Sequence, residues 1–184
     1  LARLDAGVLS LELLEAPLAG VVRSALDGLE AEAEARHVAL AARIDGDPTA
    51  ICAPDKVERV LLNLLTNAHK YSPLDRPIAV RASFDRHHVH VAVEDHGIGI
   101  ARNEHHRVFD KFYRSDDRLS RSIEGSGLGL AIVQHVAQGH HGKISLRSAP
   151  GRGSTFTLSI PIATSEAERE IEYSSRPRRA PEEA

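Results

Sequence analysis

Residues 55–72, DKVERVLLNLLTNAHKYS, decide the fold. Val57, Val60, Leu61, Leu64, Leu65 and Ala68 fall at i, i+3, i+4, i+7, i+8 and i+11, a full apolar stripe along one helix face. A helix patterned in this way packs against a core. Pro54 and Asp55 open it, with Asp55 as a candidate N-cap, and Ser72-Pro73 stop it. The same helix carries a second, polar stripe, because Asn63, Asn67 and Lys70 sit at i, i+4 and i+7. At roughly 100° per residue this stripe lies about a third of a turn from the centre of the apolar face, bordering the core rather than bulk water. Amide oxygens suit a hard cation such as Mg²⁺ that shares phosphate oxygens, and Lys70 adds a mobile point charge. Taken alone, the Asn residues could equally be solvated helix surface.

Working outward on the N-terminal side, residues 1–16 look like the end of an incoming helix passing into a connector. Pro17 opens a second helix, with Val21, Val22, Ala25, Leu26 and Leu29 at helical spacing, ending at about Arg36. Residues 38–45 alternate as a strand, Gly46-Asp47-Pro48 make a turn, and a short strand (TAICA) leads back to the central helix. On the C-terminal side, strands are predicted over 78–84 and 88–94, a short polar helix over 102–109, and a long polar segment over 110–126. A helix from Gly127 to His141 and strands over 143–148 and 154–161 complete the pattern. After Ile162 the composition predicts a polar tail without fixed structure. Helices mixed with at least five strands, mostly in hairpin order, imply an α+β two-layer sandwich.

Composition narrows the function classes. The chain has 184 residues, 27% of them charged, and a net charge of −3, which implies no general affinity for nucleic acid or anionic membrane. The single cysteine, Cys52, excludes an intramolecular disulfide framework and fits a reducing compartment. No run of about eighteen apolar residues and no signal peptide is present. The chain contains no Met and begins at Leu1, so it is expected to be a piece of a longer protein.

Three further segments carry chemistry. Asp95-His96-Gly97-Ile98-Gly99-Ile100 follows a strand. A carboxylate there can accept from an exocyclic amine such as that of adenine, and the glycines let the backbone approach a ligand; a plain strand-ending turn is the alternative. Gly125-Ser126-Gly127-Leu128-Gly129-Leu130 opens a helix, an arrangement that aims N–H groups and a positive helix end at an anion. No Gly-Lys-Ser/Thr follows, so it is not a P-loop. Phe109-Asp110-Lys111-Phe112-Tyr113-Arg114 enters the long polar segment, where its aromatics could anchor a lid while Lys111 and Arg114 reach phosphate, or simply pack the loop. Among the histidines, His88 and His90 share a strand face but lack a third metal ligand, and His105-His106 and His140-His141 read as surface polars.

In joint order and spacing these segments resemble the catalytic and ATP-binding domain of sensor histidine kinases, within the wider group of gyrase-, chaperone- and mismatch-repair-type ATPases. NLLTNAHKYS resembles the N box, DHGIGI and GSGLGLAIV the two glycine boxes, FDKFYR the F box, and GRGSTFTLSIP the last strand motif, over roughly residues 20–162. The resemblance implies a Bergerat-type fold and an ATP-Mg²⁺ site. By position, Asn67 would ligate Mg²⁺ with Asn63 beside it, and Lys70 and Arg114 would touch phosphates. Tyr71 would line the pocket and Asp95 would bind the adenine amino group, with Gly97, Gly99 and Ile100 forming its loop. Phe109 and Lys111 belong to the F box. Gly125, Ser126, Gly127, Leu128, Gly129 and Leu130 would form the phosphate loop, and Thr155 would support the adenine site through water. Residues 110–126 would be the ATP lid.

Relatives that hydrolyse ATP are similar in fold but place a carboxylate where this chain has Asn63. An amide cannot usefully take a proton from water, so the site is expected to serve an outside nucleophile. No histidine has the context of the family's phosphoacceptor. Leu4-Asp5-Ala6-Gly7 resembles the end of the dimerisation hairpin that carries it. The implied domains are therefore 1–16 as remnant hairpin and linker, 17–162 as ATP-binding domain, and 163–184 as tail. The implied partners are a histidine-bearing dimerisation domain and a response regulator. The implied whole protein is a membrane-anchored homodimer with this domain in the cytoplasm, and the isolated chain is expected not to phosphorylate itself.

Overall fold

A computed structural model describes residues 11–35, 39–46, 48–73, 76–114 and 126–163. The central helix, α2 (Pro54–Tyr71), follows α1 (Leu18–Ala35) and precedes α3 (Gly129–Gly139). The strands are β1 (Leu14–Pro17), β2 (Leu40–Ile44), β3 (Thr49–Cys52), β4 (Ile78–Phe84), β5 (His88–Asp95), β6 (Lys143–Ser148) and β7 (Ser154–Pro161). Five of them form one sheet in the order β2-β4-β5-β7-β6, with β2 parallel to β4 and every other pair antiparallel. The helices pack on one face of this mixed sheet, giving the two-layer α+β sandwich expected.

The core is the meeting of the α2 stripe with the inward side of the strands. Val57, Val60, Leu61, Leu64, Leu65 and Ala68 are all buried, as are Val89, Val91 and Val93 of β5 and Phe156, Leu158 and Ile160 of β7. Each large aliphatic side chain so buried contributes on the order of 1.5–3 kcal/mol. The outward side of β5 presents alternating half-buried positions, the period-2 pattern of a sheet with one packed face.

Several expectations need correction. Leu14–Pro17 is not connector but strand, antiparallel to Thr49–Cys52, because β3 offers its free edge there. The incoming helix and Leu4–Gly7 lie outside the described residues, as do Asp47 and the tail from residue 164 onward. Ala53, not Asp55, occupies the N-cap of α2. Proline sits at the first helical positions, no side chain caps the helix, and Asp55 instead pairs with Lys56 at 2.6 Å. The expected polar helix over 102–109 is two single 3-10 turns, Arg102–Glu104 and Arg107–Phe109, since no apolar stripe there could hold a longer helix to the core. α3 starts at Gly129 rather than Gly127, which lies in the left-handed region at φ +68. His140 is fully buried, not a surface polar. Its Nε2 accepts the Ala53 N–H at 2.9 Å and its Nδ1 donates to the Val136 carbonyl at 2.7 Å, so one neutral imidazole joins the end of α3 to the start of α2.

Candidate functional site

A cavity of about 350 Å³ opens between α2, the end of β5 and the start of α3, within the size range of small-ligand sites. Its floor is Ser154 and Phe156 of β7.

At one end stands Asp95, the last residue of β5. The residue is 7% exposed, and its Oδ1 accepts the Gly97 N–H at 2.7 Å and the Ser154 N–H at 3.3 Å. Both backbone donors fall on Oδ1, so Oδ2 is the oxygen that can accept from a donor in the cavity. Burial pushes this carboxyl above the usual carboxylate range, and the Gly97 and Ser154 hydrogen bonds only partly oppose it. The following loop is fastened from behind. A Cβ on Gly97 would come within 2.5 Å of the Tyr71 carbonyl oxygen, and one on Gly99, at φ +71, within 1.9 Å of the Ala149 carbonyl oxygen. Ile100 N–H donates to Ser148 Oγ at 2.8 Å, and Gly151 N–H to the Ile98 carbonyl at 2.7 Å. Only glycine permits this approach of loop to turn.

The other end is polar. Asn63, Asn67 and Lys70 line the cavity from α2, as their spacing requires, and Tyr71 closes the wall toward Asp95. Opposite stands the N-terminus of α3, where Ser126, Gly127, Gly129 and Leu130 line the cavity. The approach is close, since a Cβ on Gly129 would lie 3.4 Å from Asn63 Oδ1. Backbone N–H groups in the first turn of α3 have no partners within the helix, and the helix dipole adds partial positive charge. Two amide oxygens, a lysine, an arginine and a helix N-terminus form a donor set for a polyanion with a hard cation. The described residues hold no group of three His, Cys, Asp or Glu that could bind a metal by themselves.

The third wall is the segment after the 3-10 turns. Tyr113 and Arg114 line the cavity. The Tyr113 hydroxyl donates to Glu104 Oε1, and the Arg107 guanidinium sits 4.6 Å from the Tyr113 ring centre. Phe112 N–H donates to the Gly127 carbonyl at 2.9 Å, which ties this segment to the start of α3. Phe109 stands behind the wall with its ring edge-on to Phe156 at 6.3 Å.

The structure thus gathers Asn63, Asn67, Lys70, Tyr71, Asp95, Gly99, Ile100, Arg114, Ser126, Gly127, Gly129 and Leu130 around one cavity. Gly97, Phe109 and Leu128 support it without lining it. Lys111 is exposed and does not line this cavity, and Gly125 lies outside the described residues. Thr155 is not part of the lining; it pairs with Glu94 and Arg147 between two residues, Ser154 and Phe156, that are. Strand alternation turns Thr155 to the opposite sheet face. Sequence reasoning missed Arg59, Leu62, Thr66, Ile98, Val108, Tyr113, Ser154 and Phe156. Counting one turn back from Asn63 reaches Arg59, and alternation along β7 reaches Ser154 and Phe156 together.

Comparison with known proteins agrees with this geometry. The family described as histidine kinase-, DNA gyrase B-, and HSP90-like ATPase matches residues 52–164, more than half of the chain. The sensor-like histidine kinase SenX3 of Mycolicibacterium smegmatis is 50% identical over 101 residues, covering 55% of this chain and 26% of that protein. The sensor histidine kinase CusS of Escherichia coli is 41% identical over 145 residues, covering 78% of this chain and 30% of CusS. The chain therefore spans only about a quarter to a third of these two relatives. Among solved structures, full-length ShkA in complex with AMPPNP superposes with a TM-score of 0.78 at 27% identity, over 89% of this chain and 34% of that one. The mycobacterial sensor histidine kinase MprB gives 0.72 at 27% identity, over 82% and 97%. The chain belongs to the histidine kinase-, DNA gyrase B-, and HSP90-like ATPase family, as an ATP-binding domain of the sensor histidine kinase kind.

Proposed function

We propose that this cavity holds ATP with Mg²⁺ and presents the terminal phosphoryl group to a histidine on a separate dimerisation domain, from which it passes to an aspartate of a response regulator. One observation carries the choice of transfer over hydrolysis. Among the described residues lining the cavity Asp95 is the sole carboxylate, and it stands at the end away from Asn63 and the α3 N-terminus. Among the described residues the phosphate end holds amides, cations and backbone N–H groups but no group that could take a proton from water. In phosphoryl transfer, positioning and neutralisation of charge are the protein's main work, and these residues supply both.

In this reading Asp95 accepts the adenine amino group on Oδ2 while Gly97 and Ser154 hold Oδ1. Asn67 offers its amide oxygen to Mg²⁺, with Asn63 beside it. Bound Mg²⁺ would neutralise phosphate charge. Lys70 and Arg114 meet phosphate oxygens, and the start of α3 directs N–H groups at them. The segment ahead of β1 leads from the histidine-bearing hairpin. The whole protein is then a membrane-anchored homodimer with this domain on the cytoplasmic side. No helix among the described residues is long and apolar enough to cross a membrane.

Two measurements test the reading. Calorimetry should detect ATP binding that Asn67→Ala weakens only when Mg²⁺ is present. Incubation with ATP and the protein's own histidine hairpin should place acid-labile phosphate on the hairpin, with little free phosphate released. Binding without transfer would leave a nucleotide-responsive interaction module, and rapid release of free phosphate would make the chain a hydrolase.

A further inference from the structure

The polar stripe of α2 does not end at Asn63. Arg59 lies one turn nearer the helix start, about 6 Å along the axis, on the same face as Asn63, Thr66 and Lys70. It lines the same cavity. Its side chain is exposed, and it makes no ion pair or hydrogen bond with another described residue. Lys70 and Arg114 differ in this respect, since each already interacts with other groups of the chain. A solvated arginine on a helix surface is the ordinary alternative, but a surface arginine has no reason to face a ligand cavity.

The order of groups along α2 gives Arg59 a task. Tyr71 adjoins the Asp95 end, Asn67 and Asn63 follow, and the start of α3 abuts Asn63 through Gly129. A nucleoside triphosphate with its base at Asp95 runs along this series toward the helix start. Its inner phosphates then meet the amides and the α3 N-terminus, and its last phosphoryl group is the part nearest Arg59. A planar guanidinium meets two oxygens of one phosphoryl group with parallel N–H donors from a fixed fork, a geometry a lysine ammonium lacks. Resting on the ATP reading above, we propose that Arg59 binds the terminal phosphoryl group and gives the cavity its preference for a triphosphate over a diphosphate.

Calorimetry on the intact chain, with ATP and with ADP, each with Mg²⁺, tests this in wild type, Arg59→Ala and Arg59→Lys. Arg59→Ala should lose about tenfold or more in ATP affinity, the size of one charge-assisted contact, with ADP affinity unchanged. Arg59→Lys should fall between, keeping charge without the fork. The gap between wild type and Arg59→Ala should narrow as salt is raised, because the charge is exposed. Equal weakening of both nucleotides, or no change in either, overturns the proposal and leaves the ATP reading standing. A folded wild type that binds neither nucleotide overturns both.

Discussion

Two demands conflict at Asp95. Folding buries its carboxyl, which raises its pKa, while the proposed base recognition needs an acceptor at that spot. A raised folded pKa means the native state holds the proton more tightly than the unfolded chain. The ionised form therefore costs stability at neutral pH, and that cost fades as pH falls through the folded value. Asp95→Asn keeps an Oδ1 for Gly97 and Ser154 but turns an amide N–H toward the adenine amino group. ATP affinity should fall by about 30-fold or more, the scale of an unsatisfied buried donor pair, while the melting temperature holds or rises. A drop in both would show that the carboxylate serves folding instead. His140 has the opposite sign. Burial, helped by the neighbouring His141 and outweighing the opposing Val136 and Ala53 hydrogen bonds, lowers its pKa below the ordinary 6.5. The unfolded chain then takes the proton first, so the stability from neutral His140 is present above pH 6.5 and lost as pH drops through the folded value. Chemical denaturation from pH 7.5 to 5.5 should show falling stability, and His140→Leu should flatten that slope while costing about 1–3 kcal/mol for the stranded Ala53 N–H.

α2 does two jobs at once, with an apolar stripe that builds the core and a polar stripe that walls the cavity. The two sides can be separated by substitution. Leu64 is 1% exposed, and Leu64→Ala should cost about 2–5 kcal/mol of unfolding free energy. Its neighbour on the other stripe, Asn63, is half-buried, and Asn63→Ala should change ATP affinity with little effect on the denaturation midpoint. If both variants lose stability alike, the stripes are not independent. The helix was legible because its stripe is periodic and local. β4 and β5 were legible for the same reason, through alternation such as Val89, Val91 and Val93. The 3-10 turns at 102–109 were not, because a polar stretch carries no period to read.

For the whole molecule, ligand and fold are linked by mass action. ATP-Mg²⁺ that binds only the native state should stabilise the chain by about 2.7 kcal/mol at a hundredfold excess over Kd, seen as a higher melting temperature. Chelating Mg²⁺ should remove most of that shift, and its persistence would count against Asn67 as a metal ligand. Long-range partnerships were the part the sequence hid. Nothing local marks β2 as parallel to β4, or β1 as the partner of β3. Nothing local says that His140 meets Ala53 across 87 positions. Thr155 and Ser154 are adjacent in the last strand motif, and only the pairing of β7 with β5 decides which faces the cavity. Residue types and order gave most of the site, while the facing of each side chain needed the sheet.

The β1–β3 ribbon has a mechanical consequence. Its four antiparallel pairs run from Leu14 opposite Cys52 to Pro17 opposite Thr49. Tension on the chain ahead of Leu14 therefore reaches first the pair that lies one residue before Ala53, the N-cap of α2 and the donor to His140. A pull or twist arriving from upstream is delivered at the joint where both cavity helices are moored.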